Sequence, residues 1–71
     1  MKPMTTDEYK YFCAGLIYGT PCYRVTVRSG VKAGKVYYVA SLKAASQKER
    51  QLDYENGSHC TYIDPWAYCV E

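Results

Sequence analysis

The segment from Lys35 to Ile63 constrains the fold of this chain more than any other. Lys35-Val36-Tyr37-Tyr38-Val39-Ala40 is β-branched and aromatic, the content of a half-buried strand. Ser41 is an N-cap candidate, and Leu42 to Asp53 contains neither Gly nor Pro, so a helix is expected there. Asn56-Gly57 ends that helix, and His59-Cys60-Thr61-Tyr62-Ile63 resumes extended character. The unit predicts a small helix lying on an antiparallel sheet.

The flanks supply the remaining elements. Thr5-x-x-Glu8 has the form of a capping box, and Tyr9, Phe12, Cys13 and Leu16 fall on one helical stripe. A short helix from about Thr6 to Ala14 is expected, with a Tyr9–Tyr18 strand as its rival. Gly19-Thr20-Pro21 reads as a break. From Cys22 to Arg28 the chain alternates, with Tyr23, Val25 and Val27 on one face and Arg24, Thr26 and Arg28 on the other. Ser29 to Gly34 is a hairpin loop, and Lys35 to Ala40 pairs back. Asp64-Pro65-Trp66-Ala67 reads as a type I turn before a final strand at Tyr68-Cys69-Val70. The expected fold is therefore α+β, one domain over residues 1–71. It has an antiparallel sheet of three to four strands, one helix packed on it and a short N-terminal helix, in the order αββαββ.

Cys13, Cys22, Cys60 and Cys69 form two Cys-x8-Cys pairs. Three readings stand: buried thiols, two disulfides, or a zinc site. Spacing of eight is long for a zinc knuckle, where one tight turn presents both sulfurs. His59 is the only histidine, and its strand neighbour Cys60 points to the opposite face. No metal and no cofactor are expected. Nor does any sequence cue place a nucleophile beside a base and an orienting acid, and no glycine loop precedes a helix to cradle phosphate. The expectation is a protein that is not an enzyme.

No apolar run approaches the roughly 20 residues of a membrane span, and the acidic Asp7-Glu8 follows close on the N-terminus. A soluble intracellular protein is expected. Net charge is only +2, yet Arg24, Arg28, Lys32, Lys35, Lys43 and Lys48 lie between positions 24 and 48 with no acid among them. Arg24 and Arg28 share a strand face, about 13 Å apart. Lys32 and Lys35 extend that edge, and Tyr37 or Tyr38 faces the same side. Such a face suits a phosphate backbone with a stacking ring, or an acidic protein surface gripped by Arg and Tyr. Trp66, at the tip of the expected turn, is a further contact candidate.

Gly34 to Ala45, a strand running into Ser41-Leu42-x-x-Ala45, with Gly57-Ser58 opening the next strand, resembles small bacteriophage and mobile-element proteins. Some type I anti-CRISPR proteins, inhibitors of the RNA-guided surveillance complex, are similar in this segment. Gln47 and Glu49 depart from that pattern, standing where basic or alanine-rich positions belong. The resemblance implies a non-enzymatic inhibitor in the host cytoplasm that binds a defence ribonucleoprotein and blocks its nucleic-acid path. Arg24, Arg28, Lys35 and Lys43 are the positions it points to. With Lys32, Tyr37 and Trp66 they make up the expected partner-binding set, in a monomer or a homodimer. The alternatives are a small nucleic-acid-binding domain, or an interaction module stabilised by disulfides or zinc.

Overall fold

The computed structural model describes residues 2–70. Its element order is α1 (Thr6–Cys13), β1 (Gly19–Val27), β2 (Val36–Val39), α2 (Leu42–Asn56) and β3 (Thr61–Cys69). The strands form one antiparallel sheet in the order β2-β1-β3. This is a small α+β domain.

Both helices start as their capping residues dictate. The Thr5 hydroxyl accepts from Glu8 N–H at 3.2 Å, while the Glu8 carboxylate accepts from Thr5 N–H at 2.9 Å, closing the capping box. Ser41 Oγ accepts from Ala44 N–H at 3.1 Å at the head of α2. Gly57 closes α2 in the left-handed conformation, φ +79°, where a side chain is strained. Gly57→Ala is expected to lower stability by about 1–2 kcal/mol, read as a lower urea midpoint with unchanged slope.

The core lies between α2 and one face of the sheet. Val25 and Val27 of β1 meet Ala45 and Leu52 of α2 and Cys60, with Tyr23, Tyr37, Val39 and Ile63 packed around them. The alternation read from Cys22 to Arg28 is the pattern that buries these valines. α2 runs three residues beyond Asp53, because nothing breaks it before Gly57.

At the C-terminal end the structure departs from expectation. Asp64-Pro65 makes no turn, and Thr61 to Cys69 is one continuous strand. The order is therefore αββαβ, and Gly19-Thr20-Pro21 belongs to β1 rather than forming a break. The reason is parity. Ala67 C=O and Cys69 N–H point away from β1, toward Met4 N–H (3.0 Å) and Lys2 C=O (2.7 Å). In an antiparallel strand the backbone groups alternate sides, so the nitrogen of Pro65 also lies on the outer edge and removes no bond to β1. Pro21 stands opposite Ala67, so its nitrogen points away from β3, beyond the Tyr23–Thr26 stretch that β2 pairs. Both prolines sit where a strand tolerates them.

Candidate functional site

The second face of the sheet carries the candidate site. Residues opposite each other in the ladder share a face. The register sets Arg24 between Tyr38 and Asp64, Thr26 between Val36 and Tyr62, and Cys22 beside Trp66. α1 closes one end of this face, where Tyr9 stacks on Trp66 with ring centroids 4.3 Å apart. The Trp66 indole N–H donates to Met4 C=O at 2.9 Å. Among the described residues no helix covers the end bearing Val36, Tyr62 and Arg28, and Val36 (39%) and Tyr62 (40%) remain exposed.

The cations of this face differ in their partners. Arg24 Nε donates to Asp64 Oδ1 at 3.0 Å and Nη2 donates to Oδ2, a two-point pair that holds the guanidinium charge more firmly than usual. The same guanidinium lies 4.0 Å from the Trp66 ring. Arg24 is thus committed within the molecule. Arg28 is exposed, lies 5.5 Å from the Tyr62 ring, and pairs with no carboxylate among the described residues.

The expected set is not brought together as one patch. Arg24, Arg28 and Trp66 share the second face, but Trp66 is buried (7% exposed) rather than standing at a turn tip. Tyr37 stands opposite Val25 on the face under α2, with the Lys48 ammonium 4.3 Å from its ring, so Tyr38 is the tyrosine on the Arg24 side. Lys32 pairs with Glu55 at 2.7 Å near the end of α2. Lys35 is exposed just before β2, and Lys43 is exposed on the first turn of α2, on the opposite layer from Arg28. Sequence reasoning missed Tyr62 and Asp64. Strand parity would have found them: once Pro65 is accepted inside a strand, residues 62, 64, 66 and 68 must share a face.

The cysteines contribute packing. Cys22 and Cys60 are buried, Cys13 is exposed, and Cys69 Sγ lies 3.4 Å from the Glu8 carboxylate. Burial pushes the Cys22 thiol up, and burial together with the nearby Asp53 carboxylate does the same to Cys60. Among the described residues no three His, Cys, Asp or Glu side chains group so as to hold a metal ion. Among them, too, no helix is long and apolar enough to cross a membrane. Tyr11 on α1 and Leu16 and Tyr18 just beyond its end are also exposed.

The chain matches no known family model, no curated protein sequence and no solved structure.

Proposed function

We propose that this protein is a non-enzymatic interaction module whose partner docks on the open end of the second sheet face, around Arg28 and Tyr62. The carrying observation is the exposed Arg28–Tyr62 pair, in which an unneutralised guanidinium meets an accessible ring. Arg and Tyr together are the residue types that dominate protein–protein hot spots. The charge count favours a protein partner over a bare nucleic-acid strand. Arg24 is cancelled by Asp64, leaving Arg28, just past the end of β1, without a carboxylate partner among the described residues. Backbone binding to nucleic acid draws on several phosphate contacts at once. The resemblance carried by Gly34 to Ala45 with Gly57-Ser58 implies the class of partner, a host defence ribonucleoprotein such as a CRISPR surveillance complex.

The test is co-purification from host lysate, with and without nuclease, using the chain and its Arg28→Ala and Tyr62→Ala variants. A stoichiometric protein complex that survives nuclease is expected, and each substitution should weaken it roughly tenfold or more. Retained binding in both variants, or recovery of nucleic acid alone with a steep salt dependence, would overturn the reading. Loss of binding on Leu16→Ala or Tyr18→Ala with the Arg28 variant unaffected would move the site to the end of α1.

A further inference from the structure

The two edges of the sheet differ. On the β3 side Pro65 offers no N–H, and Lys2 and Met4 bond Cys69 and Ala67 from outside. β2 has neither protection. It pairs only with β1, its sequence Val-Tyr-Tyr-Val carries no Pro and no charge, and Val36 is exposed. Val27 N–H donates to Lys35 C=O at 2.9 Å, so residues 35, 37 and 39 turn their backbone groups toward β1. Val36 and Tyr38 turn theirs outward, and among the described residues nothing meets these N–H and C=O groups. An open ladder of this kind accepts a further strand.

Charge decides which strand. The Lys48 ammonium stands 4.3 Å from the Tyr37 ring on the face under α2. Lys35, exposed just before β2, has the parity of Tyr37. Neither lysine makes an ion pair among the described residues. The acids of α2 are engaged or turned elsewhere. Glu55 holds Lys32 and Gln51, and Glu49 lies one turn before Asp53, which bonds Cys60 and Thr61 on the β3 side. A second copy fits this edge poorly. The two-fold register that uses the same backbone groups sets the two Tyr37 residues opposite each other and brings two Lys48 ammonium groups together. We infer that the β2 edge takes an extended segment of a protein partner as an added antiparallel strand. Its acidic residues face Lys35 and the Tyr37–Lys48 pair, and its apolar residues alternate with them beside Val36 and Tyr38. The inference rests on β2 alone and stands whether or not the Arg28–Tyr62 reading does.

The probe is the blocked peptide acetyl-Thr-Val-Glu-Val-Glu-Thr-amide, titrated into the full chain and followed by amide chemical shifts. The Val36 and Tyr38 amides should move downfield and gain protection from hydrogen exchange. N-methylation of either valine, whose N–H faces β2, should abolish binding, while N-methylation of a glutamate, whose N–H faces away, should be tolerated. The peptide with Gln in place of both Glu should bind about tenfold more weakly. A Lys35→Gln, Lys48→Gln double variant should bind the two peptides alike, and Arg28→Ala should bind the acidic one as the unsubstituted chain does. Unmoved Val36 and Tyr38 amides, tolerated valine N-methyl groups or equal binding of the Gln peptide to the unsubstituted chain would overturn the inference. So would loss of binding in Arg28→Ala, or protection of the same two amides in a dimer of the chain alone.

Discussion

Trp66→Ala is expected to cost about 3–5 kcal/mol of folding stability, the range for deleting a large buried aromatic. A domain of this length holds only roughly 4–10 kcal/mol in total, so the variant should be largely unfolded at warm temperatures or in mild urea. Three contacts end together. The Tyr9 stack at 4.3 Å is lost, Met4 C=O loses its indole donor, and the Arg24 guanidinium loses the ring 4.0 Å away. α1 docks on the sheet chiefly through this ring, because none of its own residues is fully buried. Urea unfolding followed by far-ultraviolet circular dichroism measures the loss. Trp66→Phe, which keeps a stacking ring and gives up the N–H, should retain most of the stability. A loss under about 1 kcal/mol for the alanine variant would show that α1 is held by something else.

The same tryptophan shows where the sequence was readable and where it was not. The strand–helix–strand unit, the capping box and the β1 alternation rest on local signals: side-chain period, an N-cap hydroxyl, a glycine at a helix end. Each survives in the structure within a few residues. Asp64-Pro65 carries an equally good local signal for a turn, and it is overridden. The override is tertiary, since β3 is an outer strand and the parity of Ala67 and Cys69 puts the proline nitrogen on the side away from β1. No window of a few residues contains that information. Once the turn disappears, Trp66 moves from a tip into the interior and Asp64 comes opposite Arg24. The candidate site suffers for the same reason. A run of six cations without an acid reads as a basic patch, but acids distant in sequence, Asp64 and Glu55, neutralise two of them in space. What remains legible is Arg28, which lies over the ring of Tyr62 in the His59–Ile63 stretch whose extended character the sequence shows.

Asp53→Ala is expected to cost about 2–4 kcal/mol, the second-largest loss, because one carboxylate ties the end of α2 to the start of β3. Its Oδ1 accepts from Cys60 N–H at 3.0 Å and from the Thr61 hydroxyl at 2.9 Å, and its Oδ2 meets His59 Nδ1 at 2.8 Å. Thr61 is buried, so its hydroxyl would be left without this acceptor. Burial alone would raise the Asp53 pKa, but the Cys60 amide, His59 and Thr61 outweigh it and bring it to about 2, from an ordinary 3.8. A carboxyl whose folded value lies below its unfolded value stabilises the fold above the unfolded value. That stabilisation fades as pH falls from about 4 toward 2. The wild-type chain should therefore lose stability across that window. Asp53→Asn should start lower at neutral pH and show a shallower decline, the remaining slope coming from Glu8 and Glu55, which are also held below their ordinary range. Thermal unfolding from pH 2 to pH 7 compares the two. Parallel curves for wild type and Asp53→Asn would mean that this carboxylate keeps an ordinary pKa in the folded chain, and that α2 and β3 are joined by packing alone.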